Sequence, residues 1–171
     1  MYLQPQPEGF IECNYTFKFE IAATSKAVWN WLNNPKTFTD TQVWPYKVEF
    51  YSPDPENIPN GFYEEVYNIH YGPFINFAGK LTEIKADYRD LQYFYGSYAL
   101  SVRWIRPYRL EFWTEEANGK TMITCKIGYW VKPWIEFIWM KLQKLFWLTF
   151  PRFARKSLTK YSLVCLINQQ Y

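Results

Sequence analysis

Side chains able to carry out chemistry are scarce in this chain. It has one histidine, His70, and three cysteines, Cys13, Cys125 and Cys165, which lie far apart without a Cys-x-x-Cys spacing. A single histidine excludes a histidine-rich metal site, and a Cys–His pair would depend on the fold bringing distant residues together. The sequence therefore predicts no metal and no cofactor, with thiols that stay free and buried as in a reducing compartment.

The single histidine has two open roles. His70 follows Asn68 by two residues, so both side chains belong to one face of a strand. The histidine is either a structural residue near a strand end with its hydrogen bonds satisfied, which is the ordinary case, or a polar anchor that lines a cavity.

Glutamates and arginines give no catalytic arrangement either. Glu64 and Glu65 are consecutive, so in a strand they point to opposite faces and cannot act as a carboxylate pair. Arg103, Arg106 and Arg109 recur at spacings of three and are expected to flank a loop at a cavity rim or at the surface. Of these, Arg103 is assigned to the cavity, where it could meet a ligand carboxylate or carbonyl. Known phosphate-loop, nucleophile-elbow and zinc-helix motifs are absent from the sequence.

The elements that must position these residues follow from periodicity and turn residues. Alternation predicts a first strand over 11–23, followed by a short helix capped by Thr24 or Ser25. Six further strand-like runs extend to Val131, and Asn118-Gly119 is the strongest hairpin signal among them. A long helical segment then begins at Pro133, and Pro151 is expected to kink or divide it.

The chain resembles a known superfamily in several short stretches: IAATSKAVWNWLNNP (21–35), HYGPF (70–74) and TMITCKIGYWVKP (121–133). These are similar to the START-like, or SRPBCC, helix-grip proteins. The resemblance implies an α+β helix-grip fold of order β-α-α-β6-α, with a curved seven-stranded antiparallel sheet wrapped around a long C-terminal helix. One domain spans 1–171, with a core of about 11–153 and a helical extension over 154–171.

The same resemblance implies a deep apolar cavity between sheet and helix, because members carry lipids, sterols, hormones, quinones or polyketides and a minority catalyse cyclisation or hydrolysis. The chain is 22% aromatic, and residues this large either pack a thick core, the default, or line a cavity. The predicted cavity residues are Tyr15, Phe17, Phe19, Tyr67, His70, Tyr93, Tyr95, Arg103, Phe112, Cys125, Tyr129, Ile138, Leu142 and Leu145.

The C-terminal helix is apolar nearly all the way round, which normally means burial on every side or contact with a membrane. Basic residues concentrate there, with Glu136 as the one acidic residue from Trp134 to Tyr171. Its second face is predicted to meet an anionic membrane or a partner protein, unless the residues after Pro151 fold back over it. This face consists of Phe137, Met140, Lys141, Lys144, Trp147, Leu148, Arg152, Arg155 and Lys156.

The sequence thus predicts a protein that binds a hydrophobic small molecule and that could do so at a membrane surface. No nucleic-acid partner is expected, because no nucleic-acid-binding fold surrounds the basic residues. A polyketide cyclase or hydrolase type of enzyme is the first alternative, and a protein-interaction module that docks through the C-terminal helix is the second. The N-terminal MYLQPQPEGF lacks the charged and apolar regions of a secretory signal, so a cytoplasmic location is expected.

Overall fold

The N-terminal strand and the helices after it form as their residues predict. Strand β1 (Ile11–Ile21) is followed by helix α1 (Ser25–Leu32) and helix α2 (Pro35–Thr39). The Thr24 hydroxyl accepts a hydrogen bond from the Ala27 backbone N–H at 3.3 Å and caps α1. A computed structural model describes residues 1–40, 42, 44–101 and 103–168, and their side chains except at 59, 60 and 160–168.

The remaining strands complete one antiparallel sheet. Its eight strands lie in the order β1-β8-β7-β5-β4-β3-β2, with β6 paired to β4 and β7. The predicted fold class is therefore confirmed. The eighth strand, which the sequence did not predict, is a two-residue segment that follows β5 within one of the six predicted runs. The strand bounds are β2 Lys47–Tyr51, β3 Tyr67–Gly72, β4 Ile75–Ile84, β5 Tyr88–Tyr93, β6 Tyr98–Ala99, β7 Ile105–Ala117 and β8 Lys120–Val131.

The predicted hairpin joins the two longest strands. β7 and β8 pair from Ala117↔Lys120 outward, so Asn118-Gly119 forms a two-residue turn. Both turn residues have positive φ, 53° and 70°, which is the backbone that this dipeptide favours in tight hairpins.

The chain ends in one long helix. After a 3-10 turn (Pro133–Ile135), helix α3 runs from Glu136 to Asn168 without interruption. Of the two predicted effects of Pro151, a kink or a division of the helix, the division is wrong: buried residues on both sides of the proline, Trp147 and Ala154, hold the two halves on the same core. The helix also does not fold back on itself between Pro151 and Asn168. No helix in the described part of the chain is long and apolar enough to cross a membrane.

Helix α3 lies over β1 and α1. The Phe17 and Trp147 rings stack at 6.2 Å between centroids, and the Phe19 and Phe150 rings meet edge to face at 5.7 Å. Trp31 of α1 donates its indole N–H to the Ser157 hydroxyl of α3 at 2.9 Å. The residues of the sheet that point toward these helices form its inner face, and this face positions the candidate site.

Candidate ligand-binding site

Strand register brings distant predicted residues together on the inner face. Phe17 lies opposite Cys125, Cys125 lies opposite Phe112, and Phe112 lies opposite Arg89, so four strands contribute one continuous row. Tyr15 belongs to the neighbouring row. The sequence could define each strand's apolar side, but only the pairing between strands assembles these rows.

The inner face is packed in two separate groups of buried residues. One group lies beneath α1 and α3, and the other surrounds Phe62 and Val66 beneath β2 to β5. Three partly buried side chains, Phe38, Phe77 and Leu110, contact both groups. We call the boundary that they form the seam. The two groups of fully buried residues therefore meet only through side chains that keep partial exposure.

Polar side chains of β3 face the seam. His70 lies opposite Phe77 and Asn68 lies opposite Gly79, and both keep partial exposure. Burial lowers the pKa of His70 to about 4, and the nearby Arg89 charge acts in the same direction, so the imidazole is neutral at pH 7. The Asn68 Oδ1 atom is buried without a hydrogen-bond partner in the described part of the protein. Such an atom is costly to leave unpaired and suits a ligand that donates a hydrogen bond.

Arg89 is the inner face's buried charge. Its guanidinium donates to the Leu32 carbonyl at 2.6 Å and lies 5.2 Å from the centroid of the Phe112 ring. Burial lowers its pKa to about 10, so it remains charged at neutral pH. It therefore fastens the end of α1 to the sheet and gives the inner face a positive potential. The sequence interpretation missed this residue.

A second polar cluster lies where α3 meets β8. The Tyr129 hydroxyl and the Trp147 indole N–H both donate to Gln143 Oε1, at 3.0 and 3.1 Å. Trp139 packs edge to face on Tyr129 at 5.0 Å, and its indole N–H has no partner among the described residues. This donor and the Asn68 acceptor are the two buried side-chain atoms without a hydrogen-bond partner in the described ranges.

Solved structures with this arrangement of sheet and helix include norcoclaurine synthase from Thalictrum flavum in complex with dopamine and hydroxybenzaldehyde (14% identity, 95% of each chain, TM-score 0.60). Ara h 8.0201 is similar over 90% of this chain and 99% of its own (10% identity, TM-score 0.57). The Aha1 protein from Colwellia psychrerythraea is similar over 85% and 96% (12% identity, TM-score 0.59). The chain has the helix-grip fold. No protein-family model and no curated protein matches its sequence.

The helix-grip fold places most of the predicted strand residues inward but not all of them. Three predictions are wrong. Tyr67 stacks with Phe94 on the opposite face of the sheet, because it is out of phase with Asn68 and His70. Tyr95 follows the end of β5 and is 64% exposed, and Arg103 is exposed in the loop before β7. Those placed on the inner face are Tyr15, Phe17, Phe19, His70, Tyr93, Phe112, Cys125 and Tyr129.

The predicted face of the C-terminal helix is also wrong. Ile138, Leu142 and Leu145 were expected to cover the sheet, yet all three are exposed. The covering stripe instead recurs at spacings of four and seven residues, and Gln143 lies within it. The Gln143 Oε1 atom accepts hydrogen bonds from Tyr129 and Trp147. The pattern of one helix could not show the Tyr129 donor, because it lies on a strand. The stripe consists of Ile135, Trp139, Gln143, Trp147, Ala154 and Leu158.

The nine residues predicted for a membrane or partner face do not share one environment. Trp147 is buried, and Met140 is half-buried with its sulfur 3.0 Å from Cys13 Sγ, so these two are corrections. Exposure of the others is as expected: Phe137, Lys141, Lys144, Leu148, Arg152, Arg155 and Lys156.

Proposed function

We propose that this protein binds a hydrophobic small molecule at the seam between the two packed groups of the inner face and shields it from water. The observation that carries the proposal is the partial exposure of apolar side chains that point inward, Phe77 and Leu110 above all. In a solid interface these residues would be fully buried, because apolar surface gains from leaving water. A ligand would complete that burial.

The polar groups beside the seam favour a ligand with one hydrogen-bonding end. Asn68 Oδ1 offers an acceptor, and neutral His70 offers a donor and an acceptor. Apolar pockets commonly use a few such groups to orient a ligand. The proposed ligand is therefore an apolar ring or chain that carries a hydroxyl, phenol or carbonyl group.

An enzyme of the polyketide cyclase or hydrolase type is less well supported. General acid–base catalysis needs a group whose pKa lies near the working pH. Burial moves the inner-face groups away from neutrality instead, lowering the pKa of His70 and raising those of Tyr93, Cys125 and Tyr129. One structural neighbour is a synthase, but identities of 10–14% extend the comparison to the fold and not to its chemistry.

Binding of 1-aminoanthracene, followed by its fluorescence, tests the proposal. The probe is apolar and uncharged, so the basic residues of α3 do not attract it. We expect saturable binding of one probe per chain. Asn68→Phe places a large side chain over the seam and should weaken binding at least about tenfold.

Ile69→Phe supplies the matched control, because Ile69 is the next residue of β3 and points to the opposite face of the sheet. This variant should bind the probe as the wild type does, with a similar unfolding midpoint for both proteins. Equal binding by wild type and Asn68→Phe, or no saturable binding at all, would contradict the proposal. Independently of the probe, a native mass spectrum of protein purified from its source would identify any ligand that copurifies.

Contact with a membrane surface from the cytoplasmic side is the finer part of this proposal. Its support comes from the exposed side of α3 and is independent of the seam.

A further inference from the structure

The side of α3 that faces away from the sheet carries an unusual number of exposed apolar side chains. Phe137 is 69% exposed, Leu145 is 65% exposed and Trp134, in the turn before the helix, is 62% exposed. Spacings of three, four and seven residues place most of them along one side of the helix. We call this set the exposed helix face: Trp134, Phe137, Ile138, Leu142, Leu145, Phe146 and Leu148. Soluble monomers rarely keep a contiguous apolar surface of this kind without a use.

Basic residues accompany the exposed helix face. Lys141 lies within it, 4.2 Å from the centroid of the Phe137 ring, and Lys144 lies at its edge. Arg152 and Lys156 continue the same side of the helix toward its C-terminal end. None of these four cations takes part in a salt bridge of the described residues, and the sequence has no Asp or Glu after Glu136.

The residues from Pro151 to Asn168 do not cover this face. Because α3 continues through Pro151 to Asn168 as one helix, the residues after Pro151 do not fold back over the turns that carry this face. A second copy of the chain is also a poor partner. It would bring the same lysines and arginines toward this face, with no acidic residue of α3 beyond Glu136 to balance them.

We propose that the exposed helix face docks on an anionic lipid membrane, with α3 lying in the plane of the interface. Lipid tails accept the Phe, Ile and Leu side chains, while anionic headgroups pair with Lys141, Lys144 and Arg152. At one end Trp134 packs against Trp104 with 5.0 Å between ring centroids, and both are exposed, as suits an interfacial aromatic anchor. Docking needs no unfolding, because the opposite side of the helix stays on the sheet.

Cosedimentation with lipid vesicles tests this proposal. Phosphatidylcholine vesicles that contain phosphatidylserine should bind the protein, and pure phosphatidylcholine vesicles should bind it much more weakly. Added salt should release it, because the headgroup attraction is screened. The combined Lys141→Gln and Lys144→Gln variant should bind more weakly by about fivefold for each lysine removed. Lys18→Gln with Lys47→Gln removes two exposed lysines of the sheet and should bind as the wild type does.

A second pair of variants tests the apolar contribution. Phe137→Ser with Leu145→Ser removes two of the most exposed side chains of the face without touching the core, and should abolish vesicle binding. Tyr2→Ser with Tyr95→Ser changes two exposed aromatic residues elsewhere and should leave binding intact. The seam is untouched in all four variants, so 1-aminoanthracene binding should persist, and the outcome for the membrane is separate from that for the ligand.

Three results would overturn the proposal. The first is equal binding to charged and uncharged vesicles. The second is binding that survives both variants of the exposed helix face. The third is no vesicle binding by the wild type. If the protein then sediments as a dimer that Phe137→Ser with Leu145→Ser dissociates, a second copy covers the face. If the protein stays monomeric, a different protein is the remaining candidate to cover the exposed helix face.

Discussion

At the scale of single residues, His70 makes stability depend on pH. Its pKa is about 4 in the folded protein against an ordinary value of 6.5, so between these values the unfolded chain binds a proton that the folded chain does not. The contribution is fully present above pH 6.5 and is lost as the pH falls toward 4. From pH 7 to pH 4.5 the wild type should therefore lose about 1–2 kcal/mol more unfolding free energy than His70→Gln.

Urea denaturation of both proteins across this range measures the difference. His70 is the sole histidine, and the carboxylates titrate alike in wild type and variant, so their contributions cancel. Parallel stability curves would show that the histidine is not desolvated in the folded state.

Arg89 shows what the sequence could have revealed about single residues. The stretch 86–90 is polar, yet β5 begins within it, at Tyr88. Arg89 is in phase with Leu91 and Tyr93, so the period-two pattern already placed it on the apolar side. What the sequence could not show is its acceptor, the Leu32 carbonyl at the end of α1, because that contact joins residues far apart in the chain.

At the scale of elements, the contact between α3 and the sheet depends on Gln143. Its Oε1 atom accepts the hydrogen bonds of the Tyr129 hydroxyl and the Trp147 indole, all buried. Gln143→Leu keeps the volume but leaves two buried donors unpaired, which should cost about 2–4 kcal/mol of unfolding free energy. Chemical denaturation at pH 7 measures the loss.

A double-mutant cycle checks the cause of that loss. Tyr129→Phe removes one of the two donors that Gln143→Leu leaves unpaired. In the Gln143→Leu background it should therefore cost at least about 1 kcal/mol less unfolding free energy than in the wild type. Additive effects of the two substitutions would show that the hydrogen bond between Tyr129 and Gln143 does not stabilise the fold.

The same hydrogen bonds of Gln143 explain why the sequence predicted the wrong face of α3 to cover the sheet. Ile138, Leu142 and Leu145 form a plausible apolar stripe, and no local rule ranks it below one interrupted by a glutamine. Trp139, Gln143 and Trp147 face the sheet instead, because Trp147 stacks on Phe17 and Gln143 accepts two hydrogen bonds at this contact. Both conditions depend on the partner strands, so the helix pattern alone could not decide between its faces.

At the scale of the whole molecule, the order of elements was predictable and the seam was not. Alternating strands, a hairpin at Asn118-Gly119 and a long terminal helix each have local signals, and their order matches the helix-grip fold. The seam arises where two groups of buried residues fail to merge around Phe38, Phe77 and Leu110. Where these groups meet depends on packing between strands and helices that are far apart in the chain, for which the sequence carries no local pattern.

The buried core extends along α3 past the boundary near residue 153 that the sequence suggested. Leu158 is 6% exposed and belongs to the same buried group as Trp31 and Ala154. Leu158→Ala should therefore cost about 2–4 kcal/mol of unfolding free energy, as a buried leucine does. Leu145→Ala makes the same chemical change on the same helix at a 65% exposed position and should cost less than about 0.5 kcal/mol. Equal losses in the two variants, measured by urea denaturation, would mean that the residues after 153 form an appendage outside the cooperative core.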